Sequence, residues 1–229
     1  MGQTLKNLEV RDDQLLVGVA AIAAYLFAGK AKITLHNVHS GVRHSYRIEV
    51  ARVKTEAGGW RPNHGHGPWY VWVNTAKGWR GIGYVRRNPH QDGTLQFLNE
   101  RRGRKMYRVL PGADVRVKGF EWLMGRLNHG VELPEHVQCW HNGQCGRCGK
   151  DLISEYRMLH FGPVCVKHLG IDDKAIFERL AQLGEAPLNR RLEVVREMVF
   201  SDLSKADQTA LSLLPGVAGD YARLHLSAA

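Results

Sequence analysis

Three of the chain's four cysteines, one histidine and three glycines fall within "CWHNGQCGRCGK", residues 139–150. Cys145 and Cys148 are two residues apart, and Gly146 and Gly149 let the backbone fold around an ion, as in a zinc knuckle. After sixteen intervening residues, "GPVCVKH" supplies Cys165 and His168 at the same spacing. Two such pairs match the donor set of one structural zinc site, soft thiolates with imidazole. Gly162 and Pro163 place Cys165 near an expected helix start, where free N–H groups favour a thiolate. The spacing predicts a treble-clef-like finger: knuckle, hairpin, then ligands on a first helical turn. His141, His168, Cys139 and His160 are all within sequence reach of the fourth position, and spacing alone favours His168.

Other chemistry fits the cluster less well. A redox C-x-x-C sits at a strand-to-helix turn, whereas this one has polar and glycine flanks and no clear preceding strand. A catalytic zinc needs three protein ligands, a water and a nearby carboxylate, as in the H-x-E and P-C-x-x-C deaminases, and neither motif occurs here. H-E-x-x-H is absent too. "GWRGIGYVRR" lacks the endings of a phosphate cradle, and "NHGHGP", with His64 and His66, reads as a turn. No Ser/His/Asp or paired-carboxylate constellation is visible, so the expectation is a non-enzyme.

The charge is unevenly spread. Formal net charge is +10 and the sequence pI about 9.7. Residues 1–170 carry 25 Lys+Arg against 13 Asp+Glu, and residues 171–229 carry 7 against 9, so the excess lies wholly beside the cysteines. A polyanion such as DNA or RNA is the partner such a balance fits. "FLNERRGRKMYRV" sets Arg101, Arg102, Arg104 and Lys105 around a hairpin tip suited to phosphate, with Arg116 and Lys118 as a possible extension and Arg147 and Lys150 on the knuckle. Aromatics at Trp60, Trp69, Tyr70, Trp72, Trp79 and Tyr84 interleave with arginines nearby. Alternation in "WYVWV" puts Trp69, Val71 and Val73 on one face and Tyr70 and Trp72 on the other, so one set is core and the other could stack on bases.

The elements that must position these residues follow from periodicity. Residues 12–28 start acidic, run apolar and stop at Gly29, predicting a buried helix too short to span a bilayer. "AKITLHNV", "RHSYRIEVARV", "WYVWVNT", "GIGYVRR" and "KMYRVL", separated by glycine turns, predict an antiparallel sheet, curled or closing to an open barrel. "VKGFEWLMGRLNHG" puts Phe120, Leu123, Met124 and Leu127 on one helical face ending near Gly130. After the cysteines, "DDKAIFERLAQLG", "PLNRRLEVVREMVFSDL" and "SKADQTALSLLP" read as helices. The whole is an α+β chain: a helix-plus-sheet domain over 1–130, a zinc finger over 131–170 and a helical region over 171–229. Cysteines at ligand spacing without an export signal predict a reducing, cytoplasmic setting.

"WHNGQCGRCGKDL" followed by "GPVC" resembles a family of uncharacterised phage and prophage proteins whose pattern reads W-H-x-G-x-C-G-x-C-G, then G-x-G-P-x-C. "FAGKAKITLHNVHSGVRHSYRI" and "KGFEWLMGRL" are similar to the region preceding that motif, so the likeness covers about residues 27–168. "LISEYRMLHFGPVC" departs from it, with His160-Phe161 where a glycine is common. The resemblance implies zinc and a phage setting, and it moves the fourth ligand from His168 to His141. The expected function is a phage-type accessory zinc protein that binds nucleic acid through its basic surface. The alternatives are a protein-binding inhibitor of a host defence complex and, third, a small enzyme.

Overall fold

The computed structural model describes residues 12–64, 67–90, 94–102, 108–187, 190–195 and 197–199. The apolar N-terminal stretch is not one helix. A 3-10 turn at Asp12–Gln14 is followed by α1 at Val19–Phe27. Between them the chain becomes extended: Leu15 bridges Trp140, the Leu16 N–H donates to the Cys139 carbonyl at 2.9 Å, and Gly18 turns at a φ of 84°. Pairing with a sheet edge satisfies backbone groups that a continuous helix would have satisfied internally. The Val19 N–H, left free at the start of α1, is taken by the Glu132 carboxylate at 3.1 Å.

Six antiparallel strands form one curled sheet in the order β7-β6-β5-β2-β1-β8. They are β1 (Lys30–Asn37), β2 (Arg43–Val50), β5 (Trp69–Thr75), β6 (Gly78–Arg87), β7 (Leu95–Leu98) and β8 (Val137–His141). Two short strands, β3 (Arg52–Lys54) and β4 (Trp60–Pro62), make a separate ribbon. The helix α2 (Val115–His129) connects the β7 edge to the β8 edge. Its start is capped by the Asp114 side chain on the Arg116 N–H, and its end by Gly130 in the left-handed conformation.

Strand alternation sorts the sheet into two faces. Ala31, Ile33, Tyr46, Ile48, Trp69, Val71 and Val73 are buried against α1 and α2. Phe120 of α2 packs at 5.3 Å from Tyr46 and 5.0 Å from Phe97, ring centre to ring centre. Trp69 stands edge-on to Phe27 and donates its indole N–H to the Phe27 carbonyl at 3.0 Å. The opposite face carries the alternate residues, including Arg47, Tyr70, Trp72 and Trp79.

After β8 come α3 (Ser154–Arg157), α4 (Pro163–His168) and α5 (Asp173–Leu183), with helical turns at 190–195 and 197–199. A second apolar cluster joins Cys145, Leu152, Phe161, Cys165 and Val166 to Ile176 and Leu180 of α5 and to Leu192 and Val195. The expected helix over "SKADQTALSLLP" lies outside the described residues, as does half of the expected strand "KMYRVL", residues 105–107. No described helix is long and apolar enough to cross a membrane.

Trp69 is both the largest fully buried side chain and a hydrogen-bond donor to α1. Trp69→Ala is expected to lower unfolding free energy by about 3–5 kcal/mol, read from the urea midpoint at unchanged slope.

Candidate metal centre

The knuckle is built on the corner between α1 and β1. The Lys30 N–H donates to the Gly146 carbonyl at 2.7 Å, and the Tyr25 hydroxyl donates to the Gln144 carbonyl at 2.7 Å. A Cβ on Gly146 would lie 2.7 Å from the Tyr25 ring, so only glycine allows this approach. Within the loop, the Cys145 N–H donates to the Lys150 carbonyl and the Gly149 N–H to the Cys145 carbonyl, each at 2.8 Å. Cys165 arrives from the other side, on the first turn of α4 behind Pro163.

The sulfurs of Cys145, Cys148 and Cys165 all lie within 4.8 Å of one another, and these three residues could hold a metal ion. Sulfurs on a tetrahedral zinc at bonds of about 2.3 Å stand roughly 3.8 Å apart, so small adjustments would close the site. The donor set itself calls for a cation. Burial pushes the Cys145 thiol up, but backbone N–H groups of Gly162, Cys148 and Arg147 outweigh it and hold the thiol below its ordinary value. Burial and the neighbouring Cys145 charge push Cys165 up to about 12. One thiolate forms readily and then opposes the next, so three together need a positive charge between them.

Neither expected fourth ligand stands with the sulfurs. His141, the last residue of β8, is buried with both ring nitrogens turned to the backbone: Nδ1 accepts from the Gly143 N–H at 3.1 Å and Nε2 donates to the Arg157 carbonyl at 3.1 Å. Burial first, against the Arg157 and Asp13 backbone contacts, brings its pKa down to about 4. His168 ends α4 with an exposed side chain, one turn after Cys165. Cys139 belongs to the sheet core, and His160 is half-buried with a φ of 64° beside His141.

Two sequence expectations change here. A strand, β8, does precede the C-x-x-C, but Asp151 then bridges back to Gln144 and no helix opens at Cys148, so the strand-to-helix turn of a redox pair is not formed. The link between knuckle and Cys165 is the short helix α3 where a hairpin was expected. The Tyr156 hydroxyl donates to Asp173 at 2.6 Å, drawing that segment toward α5.

The predicted phosphate-binding cations do not form one cluster. Arg101 and Arg102 are exposed just beyond β7, and Arg104 and Lys105 lie outside the described residues. Arg147 and Lys150 belong to the knuckle at the α1–β1 corner, where the Arg147 carbonyl lies against Gly29 and Gly149 against Lys30, a different part of the chain from the segment after β7. Arg116 is held by Asp114 at 2.6 Å and Lys118 by Glu121 at 2.7 Å, so neither extends a free basic stripe. His64 is half-buried with Nδ1 at 2.9 Å from the Ala28 carbonyl, and His66 lies outside the described residues.

The sheet face turned away from the helices holds four of the aromatics the sequence singled out, with Trp72 and Tyr84 buried and Tyr70 and Trp79 half-buried, and adds Arg47, which the sequence did not single out. Arg47 places its guanidinium 4.6 Å from the Trp72 ring centre and 5.3 Å from that of Trp79. Tyr70 is 6.0 Å from Trp72, and Arg102 lies 5.0 Å from the Tyr84 ring. The usable signal was the register, which puts Arg47 directly opposite Trp72. No protein-family model, curated protein or solved structure matches the chain.

Metal analysis of purified protein is expected to give about one thiophilic ion per chain. Cys145→Ser and Cys165→Ser should each lower that ratio markedly, whereas His141→Ala should retain the ion and lose only thermal stability. Equal loss of metal in all three would place His141 among the ligands.

Proposed function

We propose that the protein binds single-stranded nucleic acid across the outer face of its sheet and uses zinc to fix the knuckle at the sheet's edge. The observation that carries this reading is the half-buried Arg47 guanidinium, 4.6 Å from the Trp72 ring centre and 5.3 Å from that of Trp79, on the face opposite the helices; Trp72 is itself buried, so Arg47, Trp79 and Tyr70 are the groups a base would meet. Unpaired bases stack on aromatic rings and on guanidinium planes, and such contacts tolerate any sequence because every base has a π-face. Arg101 and Arg102, exposed beyond β7, supply phosphate contacts beside the face, and Arg147 and Lys150 on the knuckle add to them. Arg104 and Lys105 are assigned to the same role from the sequence.

Zinc is the metal three thiolates and an imidazole select. The fourth donor in this reading is His168, because i and i+3 residues share a helix face and its exposed ring needs only a rotamer change, whereas His141 would have to give up two hydrogen bonds. Cobalt substitution tests this: His168→Ala should shift the visible absorption bands and His141→Ala should not. The resemblance of the cysteine motif to the phage family supports an accessory role in a phage or prophage, exercised in the host cytoplasm.

Fluorescence anisotropy with short single-stranded DNA and RNA is expected to show binding that weakens as salt rises, log K falling linearly with log salt. Trp79→Ala and Arg47→Ala should each cost about 1–3 kcal/mol, the range for a base stacked on an aromatic side chain. Undetectable binding at low salt, or affinity indifferent to salt, would sink the proposal.

A further inference from the structure

Around the rim from Trp79, on the helix side of the β5–β6 hairpin, lies a basin of about 460 Å³. Lys77 and Arg80 come from the hairpin, and Arg108 and Arg116 from the segment leading into α2. The floor is Val109, Leu110 and Pro111. That floor is fixed: Val109 bridges Gly81, the Leu110 N–H donates to the Gly81 carbonyl at 2.9 Å, and the Asn99 side-chain amide donates to both the Ile82 and Leu110 carbonyls. The volume is that of a small-molecule site.

The charge in this basin is not balanced by the described residues. Arg116 is committed to Asp114, donating from Nε at 2.8 Å and from a terminal nitrogen at 2.6 Å. Lys77, Arg80 and Arg108 form no ion pair among the described residues. Three cations converge on one concavity with low-dielectric walls, and an anion placed there relieves their repulsion. Because Trp79 and Arg80 are consecutive, the row of aromatics on the outer face ends where the basin begins.

We propose that this basin binds a terminal phosphate monoester, the phosphorylated end of a nucleotide. An internal phosphodiester carries one negative charge, whereas a monoester carries about −1.5 to −2 at neutral pH with three acceptor oxygens. The monoester is therefore the better match to three uncompensated cations, and the apolar floor receives the attached sugar or base. This rests on the reading of the sheet face as a nucleic-acid surface, since a strand laid over Arg47 and Trp79 would end at the basin. A free nucleotide offers the same chemistry.

The experiment measures anisotropy of one short oligonucleotide in three forms: 5′-phosphorylated, 3′-phosphorylated and unphosphorylated. One phosphorylated end should bind about tenfold more tightly than the unphosphorylated strand, as expected for charge-assisted hydrogen bonds. The double variant Arg80→Ala/Arg108→Ala, both exposed and checked by circular dichroism, should erase that preference and leave the unphosphorylated strand bound about as before. Trp79→Ala should weaken all three forms together. Adenosine monophosphate added as competitor separates the sources: displacement of the phosphorylated end alone shows that free nucleotides share the basin, and no displacement restricts it to strand ends. Equal affinity for all three forms, with binding intact, overturns the basin and spares the sheet-face reading. If no oligonucleotide binds, the sheet-face reading fails, and calorimetry with adenosine monophosphate decides the basin: heat of binding lost in the double variant supports it, and no heat overturns it.

Discussion

Tyr25 is a point at which the two apolar clusters meet, and its hydroxyl donates to the Gln144 carbonyl at 2.7 Å, tying the knuckle to α1. The side chain is fully buried, so the phenol must find a partner inside. One face of the ring belongs to the core beneath the sheet; the other side lies 5.5 Å from His141 and 6.4 Å from Phe161, ring centre to ring centre. Gly146 lies against the ring, and the Lys30 amide reaches past it to the Gly146 carbonyl. The knuckle is thus pinned to the α1–β1 corner by backbone bonds and one aromatic ring before any ion is considered. A metal held by the three cysteines would join Cys165 to a loop already bonded to that corner.

That arrangement decides how charge is distributed. The chain's basic excess looks in the sequence like one region, but Arg101 and Arg102 follow β7 whereas Arg147 and Lys150 ride on the knuckle at the α1–β1 corner. Some of the remaining cations are cancelled locally by carboxylates two or three residues away. The outer sheet face carries its own cation, Arg47, set over buried Trp72 and beside half-buried Trp79. Packing on the helix side makes this possible, because Trp69, Val71 and Val73 absorb the apolar demand of β5 and leave Tyr70 and Trp72 to the other face.

Local signals were legible in the sequence and pairings between distant segments were not. The end of helix α2 could be read because the apolar spacing and Gly130 agree, while its start was set at Val117, two residues inside the helix that Asp114 caps. The faces of β5 followed from alternation. The N-terminal apolar stretch was read as one helix because composition cannot show that Leu15 and Leu16 pair with the edge of β8. β8 itself was missed, since the polar ring of His141 in "VQCWH" hides a fully buried position whose nitrogens are satisfied by Gly143 and Arg157. The three cysteines were visible from spacing alone. The fourth donor was not, because choosing between two histidines requires knowing which ring nitrogens the backbone has already used. The basin was equally hidden: its cations come from segments some thirty residues apart, brought together by the bridge between Gly81 and Val109.

The sulfurs also govern how the chain beyond the sheet is held. Cys145 and Cys165 are members of the apolar cluster that includes Ile176, Leu180, Leu192 and Val195, so the packing of α5 and the turns after it is continuous with the metal centre. With a cation bound, three thiolates become a crosslink between the knuckle, fixed to the sheet through Tyr25 and Lys30, and α4, which carries the helices that follow. Without one, apolar packing is what ties Cys165 to the knuckle among the described contacts of this cluster. Metal loss should therefore loosen α4, α5 and the following turns before it disturbs the sheet, whose own core contains neither of these cysteines.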